Sequence, residues 1–311
     1  MSRARMTDSP AWASATPRLS VLIPFLRDDP TDLLNRLEAE APDLNGQVEI
    51  VLLDDGTGDA KLTAALEQRV TTLRLPARLI TLTANEGRSR GRNRLASAAR
   101  GNSWLFLDSD MRPDRSDFLA AWLALIQRED PAVAFGGFSL MQAPTDARYA
   151  VHRSIALKSE CLSVEAREQA PEKYVYTSNL LVRRDVFAAE AFDPAFSGWG
   201  WEDVEWAMRV ARNHAVRHVD IPATHMGLDT TASLMAKYEQ SADNFARVIA
   251  RHPTVVATYP SYRAARLIRR LPARGALRSV VRSTVLQDWL PAGARAFALR
   301  LYRAALYAEA V

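Results

Sequence analysis

Apolar positions along this chain come in short runs that stop on polar or turn residues. "LSVLIPF" (19–25) is the first, and "VEIVLLDDG" (48–56) the second, stopping on two aspartates and a glycine. "RLITLT" (78–83) and "SWLFLDSD" (103–110) complete the first half, the latter again ending on acids. Between these runs the spacing changes to a helical one, from about residue 31, over 62–70 and over 89–100. β-rich runs alternating with helices predict an α/β fold, a mostly parallel Rossmann-like sheet with helices on both faces. In such sheets ligands bind beyond the carboxyl ends of the strands, and here those ends carry Pro24, Asp54, Asp55, Asp108 and Asp110.

The second half is less regular. "VAFGGFSLM" (133–141) reads as a strand, 149–170 as helical, and "TSNLLVRRDVF" (177–187) as a strand turning into a helix. "EDVEWAMRVARN" (202–213) sets Val204, Ala207, Met208 and Ala211 at helical spacing. "VRHVDIP" (216–222) is another strand, and a helix-rich region runs from about residue 231, with a break near 252–262. Residues 1–17 lack the apolar segment of a secretory signal and are expected to be a disordered leader. The body is expected over 18–252 and a basic helical extension over 253–311.

Composition narrows the class. A single cysteine, Cys161, excludes an internal disulfide and fits a reducing compartment. No window approaches the roughly 20 apolar residues of a membrane span, so a cytoplasmic protein is expected, with peripheral attachment to the inner face of the membrane as the open alternative. The net charge of +4 hides an asymmetry: from Arg251 onward eleven arginines stand against Asp288 and Glu309, a net of +9, which leaves −5 on the rest. Leu267, Ile268, Leu271 and Leu277 lie among those arginines. The segment 262–283 therefore reads either as an interfacial helix on anionic lipid or as helices packed on the body. A nucleic-acid role is not expected, since aromatic residues beyond Tyr259 and Tyr262 are missing from it.

Five stretches carry chemistry. Asp108 and Asp110 in "LDSD" point to one side of an extended backbone and can hold a hard divalent cation, or simply form a solvated turn. Asp55 in "LLDDG" can accept from a nucleobase ring N–H, or cap a helix. Gly87 and Gly91 with four arginines in "NEGRSRGRNR" (85–94) suit a phosphate-rich ligand, or an exposed basic helix face. In "SGWGWEDVEW" (197–206), Gly198 and Gly200 allow a sharp turn, Trp199 and Trp201 offer flat walls for a sugar ring, and Glu202 and Asp203 begin a helix. A carboxylate there stays ionised and can act as a general base, or merely cap the helix above a tryptophan core. Trp206 reads as core. His225 in "PATHMG" is a third metal ligand or a capped loop histidine.

Taken together and in this order, these residues resemble the family 2 inverting glycosyltransferases of the GT-A fold over roughly residues 19–250. "FSGWGWEDVEW" is similar to the acceptor-side motif of galactosyltransferases and bacterial chondroitin-polymerase-type enzymes. The resemblance implies a GT-A domain over 18–252, with Pro24 and Asp55 lining a nucleobase pocket. It implies Arg88 near base or phosphates, with Arg92 or Asn93 beside it, Asp108 with Ser109 at the ribose, and Asp110 and His225 on Mn²⁺ or Mg²⁺. Asp203 becomes the catalytic base, Glu202 a partner beside it, and Trp199, Gly200 and Trp201 the sugar and acceptor wall. The motif it resembles has glycine where this chain has Trp201. The implied reaction moves a hexosyl or N-acetylhexosaminyl group from a UDP-linked sugar to a glycan or lipid-linked hydroxyl, in polysaccharide synthesis. A sugar nucleotidyltransferase is the rival enzyme, without its glycine-rich signature in "IPFLRDDP". A relative that only binds glycans is the other, opposed by intact Asp108, Asp110 and Asp203.

Overall fold

Every residue of the run Val48–Asp54 is buried, and so are all but Pro24 of Leu19–Phe25, as strands covered on both faces require. The computed structural model describes residues 4–44 and 46–311. Its strands are β1 (Ala4–Asp8), β2 (Leu19–Phe25), β3 (Val48–Asp54), β4 (Ala77–Leu82), β5 (Ser103–Leu107), β6 (Met111–Pro113), β7 (Val133–Phe135), β8 (Phe138–Ser139), β9 (Asn179–Arg183), β10 (Val216–His218) and β11 (Ala223–His225). The helices before residue 215 are α1 (Thr31–Ala39), α2 (Ala60–Thr72), α3 (Arg88–Ala98), α4 (Phe118–Glu129), α5 (Ala150–Ser159), α6 (Val164–Arg167), α7 (Arg184–Ala189) and α8 (Glu202–Val210). Those after it are α9 (Thr231–Gln240), α10 (Ala242–Arg251), α11 (Pro253–Val256), α12 (Pro260–Arg269), α13 (Arg274–Val285) and α14 (Ala292–Tyr307).

The main sheet has the order β1-β4-β3-β2-β5-β9-β7-β10. The pairs β4–β3, β3–β2, β2–β5 and β7–β10 are parallel, while β1–β4, β5–β9 and β9–β7 are antiparallel. One face is covered by α1, α2 and α4 through Leu33, Leu37, Leu66, Val70, Phe118 and Trp122. The other is covered by α3, α7 and α8 through Leu95, Phe187, Trp206 and Val210. Trp206 is core, as its sequence suggests, with its indole N–H on the Glu190 carbonyl at 2.6 Å. A second sheet, β6-β11-β8, stands at one end.

Several expectations change. The leader is not disordered over its described residues: β1 adds an edge strand to β4, and residues 1–3 lie outside the described residues. The strand expected over 133–141 is cut in two because Gly137 takes a positive φ of 101° and lets β8 leave for the small sheet. The helical stretch expected over 149–170 is α5 and α6 with a gap between them. α4, absent from the periodicity reading, turns Ala120, Ala121 and Ala124 outward, so most of its exposed face is alanine and its amphipathic signature is weak. The helices after residue 253 pack on the body, α14 against α5, α9 and α10. Leu267 and Leu271 nevertheless stay exposed. Among the described residues, no helix is long and apolar enough to cross a membrane.

The leader is ordered by a buried charge. Glu49, near the start of β3 and fully buried, accepts from Ser20 Oγ at 2.6 Å, from the Arg100 N–H at 2.7 Å and from Arg100 Nε at 2.7 Å. Arg100 in turn lies 3.8 Å over the Trp12 ring and donates to the Trp12 carbonyl. Replacing Glu49 with Gln should cost about 2–4 kcal/mol in urea unfolding, because the Arg100 guanidinium loses its charged partner and faces an amide NH2 donor in place of one acceptor oxygen. A loss below about 0.5 kcal/mol would show that the network is not structural.

Candidate functional site

β2 lies between β3 and β5, so the chain reverses its winding there, and the crevice beyond β2 and β5 is where such sheets bind ligands. Pro24 and Asp55 meet at its rim: Pro24 is in register with Leu53, and the Asp55 N–H donates to the Phe25 carbonyl at 3.0 Å. The Asp55 carboxylate accepts from the backbone N–H of Glu86 at 2.8 Å and of Gly87 at 3.0 Å, so it also holds the loop that opens α3. Burial raises its pKa against those two bonds.

The small sheet brings an acid and a histidine from distant parts of the chain together. His225 is in register with Met111, and the Met226 N–H donates to the Asp110 carbonyl at 2.9 Å. As a result His225 Nε2 lies 3.4 Å from Asp110 Oδ2. Burial alone would lower the His225 pKa; the Asp110 charge and hydrogen bond overcome it and hold it up at about 9. A methyl group built on Gly227 would overlap Asp110 Oδ2, so only glycine admits the carboxylate here. The nitrogen and the carboxylate oxygen face one cavity and can share a single divalent cation. His225 Nδ1 is buried without a partner among the described residues. His152 and Glu160 also approach, their ligand atoms and that of His225 all lying within 4.8 Å of one another. His152 Nδ1 already accepts the Asp229 N–H at 2.7 Å, which leaves the proton on its other nitrogen.

Arg92 departs from expectation. It is 2% exposed and donates through Nη2 to Asp108 at 2.9 Å and through Nη1 to Glu202 at 3.3 Å. It is therefore a brace between the end of β5 and the start of α8, closed off from a phosphate. Asn93 is a brace too, exchanging hydrogen bonds with the backbone of Phe192 at 2.8 and 3.1 Å. The second oxygen of Asp108 accepts from Ser178 Oγ at 2.9 Å. With Glu202 held in this way, the neighbouring Asp203 carboxyl is pushed up to about 7, by burial first and by the Glu202 charge second, against the pull of Arg92.

The tryptophan turn is held from below. Gly198 and Gly200 have positive φ, 72° and 87°, and so does Trp201 at 76°, a conformation rare for a bulky residue. Trp201 keeps it because its indole packs on Phe245 at 4.7 Å and donates to Tyr307 Oη at 2.9 Å. Asn244, buried in α10, donates to the carbonyls of Ser197 and Gly200, both at 2.9 Å. Sequence reading missed Asn244 and Tyr307; the only signals were a polar residue on an amphipathic face and a late aromatic, which are common.

A cavity of about 710 Å³ joins these parts, within the usual range for a ligand site. Arg88, Asp108, Asp110, Glu202, Asp203 and His225 line it, as do Trp199, Gly200 and Trp201. Pro24, Asp55, Ser109 and Arg92 do not. Lys158, Lys173, Lys237, Tyr238, Arg300 and Arg303 also line it and were not anticipated.

The family model for Glycosyl transferase family 2 matches residues 20–189, more than half of the chain. Among solved structures, the mannosyltransferase PcManGT of Pyrobaculum calidifontis, in complex with GDP-Man and Mn²⁺, is similar over 95% of this chain and 86% of its own, with TM-score 0.58 and 16% identity. Residues 1–349 of TarS from S. aureus are similar over 92% of this chain and 89% of that one, with TM-score 0.50 and 16% identity. A mycobacterial protein is similar over 78% and 76%, with TM-score 0.51 and 16% identity. No curated protein matches the sequence. At these identities the structures establish the fold, which is of the GT-A kind.

Arg92→Leu removes the one cation between two buried or half-buried carboxylates. It should cost about 3–5 kcal/mol. Urea unfolding monitored by tryptophan fluorescence measures it, and a change under about 1 kcal/mol would mean that the brace is dispensable.

Proposed function

The chain belongs to glycosyl transferase family 2, and from that premise we propose that it is an inverting, metal-dependent transferase moving a sugar from a nucleotide-sugar to a hydroxyl of a glycan or lipid-linked acceptor. The observation that carries this reading is the shared cavity wall of Asp110, His225 and Asp203, residues separated by about a hundred positions and facing one space.

In this reading the nucleoside lies over Pro24 and Asp55, and the diphosphate lies near Arg88. Asp110 and His225 would hold the cation, Mn²⁺ or Mg²⁺, which when bound neutralises charge on the departing diphosphate. The Mn²⁺ in the PcManGT complex is in keeping with that. Asp203 accepts the proton of the acceptor hydroxyl as its oxygen attacks the anomeric carbon. The bond to the diphosphate oxygen breaks on the opposite side, so configuration inverts. Glu202 stays paired with Arg92 and keeps Asp203 basic enough to take a proton near neutrality. Trp199 lines the side from which the acceptor enters, a flat apolar wall for a sugar face.

The basic helices suit the lipid-linked alternative. Leu267 at 65% and Trp289 at 78% exposure stand out near the arginines of α12 and α13, a surface matched to an anionic bilayer.

With a panel of nucleotide-sugars and Mn²⁺, donor turnover should be abolished by a chelator and restored by added metal. Asp203→Asn should keep donor binding and lose about 10²- to 10⁴-fold in kcat; near-normal turnover would exclude Asp203 as the base. The base works only when deprotonated, and its pKa is raised to about 7. The rate in the wild type should therefore fall tenfold per unit below about pH 7. A profile flat down to pH 5 would contradict the assignment.

A further inference from the structure

One wall of the cavity comes from the C-terminal end of the chain. That wall is α14. Phe297, Arg300, Leu301, Arg303, Ala304 and Tyr307 reach the cavity from successive turns of this helix. Arg300 and Arg303 are three residues apart and so share one face. Neither has a carboxylate within ion-pair distance among the described residues, whereas Lys237, on a neighbouring wall, is paired with Asp229 at 2.6 Å. Arg303 is half-buried, with its guanidinium 5.1 Å from the centre of the Tyr238 ring. Lys173, from the turn before β9, lies over Tyr174 and Tyr259, and Lys158 lines the cavity from the end of α5; among the described residues neither is paired with an acid.

Glu160, on the same cavity wall, acts on Arg303 through its charge without touching it; half-buried guanidinium groups with no acid in direct contact carry a desolvation cost that a bound anion offsets. Pairs of guanidiniums favour phosphate, which they grip through several parallel N–H bonds. This helix is not beside the strand ends where the diphosphate would lie. It abuts the tryptophan turn, through Tyr307 on Trp201 and through Arg303 on Tyr238, which itself packs on Trp199 at 5.8 Å. We propose that Arg300 and Arg303, with Lys158 and Lys173 nearby, form a phosphate subsite on the acceptor side of the cavity, so that the acceptor carries a phosphate group. The inference rests on the transferase reading for the word acceptor, while the subsite itself stands on the cavity wall alone.

The test uses the full chain, freed of metal, and inorganic phosphate as the probe, titrated by calorimetry at low ionic strength. Three variants are compared after thermal melts show them folded. Arg300→Gln/Arg303→Gln should weaken phosphate binding about tenfold or more. Arg266→Gln/Arg269→Gln removes the same charge from the exposed face of α12 and should leave binding unchanged. Arg88→Gln reports any phosphate held at the donor end and should leave intact the binding event that Arg300→Gln/Arg303→Gln removes. Equal binding by the wild type and the Arg300/Arg303 variant overturns the proposal, and so does a loss confined to Arg88→Gln. Competition by glycerol 3-phosphate and by soluble dihexanoyl phosphatidic acid separates the sources. A lipid that competes tenfold better places the phosphate in a lipid headgroup lying along Phe297 and Leu301, and equal competition places it in a soluble acceptor. Because no donor or metal is present, a failure here is distinct from a failure of the transferase reading, which donor turnover reports.

Discussion

One buried arginine organises the site. Arg92 sits inside the protein between Asp108 at the end of β5 and Glu202 at the start of α8. A buried guanidinium is tolerated because two carboxylates and the surrounding fold compensate its lost hydration. The consequence is positional. The strand that delivers Asp108 and Asp110 and the helix that delivers Asp203 are fixed to one another through α3, which also holds the preceding loop through Asn93. The pKa of Asp203 follows from the same arrangement, since a spare carboxylate beside a neutralised pair feels burial and the Glu202 charge more than the cation.

The second constraint comes from the helices after residue 230. They close the cavity and brace its most strained segment. Trp201 is held in a left-handed conformation by Phe245 and Tyr307, and the turn before it is held by Asn244. The resembled motif has glycine at that position, where a positive φ carries no steric cost. Here an indole takes its place and the strain is met by packing and a hydrogen bond from the C-terminal helices. The same α14 that anchors Trp201 through Tyr307 presents Arg300 and Arg303 to the cavity. Support of the turn and the chemistry of the cavity wall thus belong to one element.

Much of the fold was legible because its signals are local. β2, β3, β4 and β5 announce themselves as apolar runs, and the acids at their ends mark the binding edge without any tertiary information. α8 was legible from its spacing. α4 was not, because its outward face is largely Ala120, Ala121 and Ala124, and alanine does not interrupt an apolar run to reveal a period. β1 was not, because an edge strand with no buried residue gains its order from β4 and from the Glu49–Arg100–Trp12 network, all distant in sequence. The sequence around Arg92 suits a phosphate ligand as well as a brace, since a basic residue after a glycine-rich loop fits either role. Only burial distinguishes a brace from a ligand.

The sequence by itself determined which residues could do chemistry and along which strand edge they lie, since strand period, turn chemistry and side-chain functionality are properties of neighbouring residues. Tertiary structure alone decided which of them meet. His225 reaches Asp110 through the register of a three-stranded sheet, Glu202 reaches Asp108 through an arginine from a third element, and α14 reaches the cavity from the far end of the chain. Such meetings depend on distances through space, and short-range patterns along the chain do not encode them.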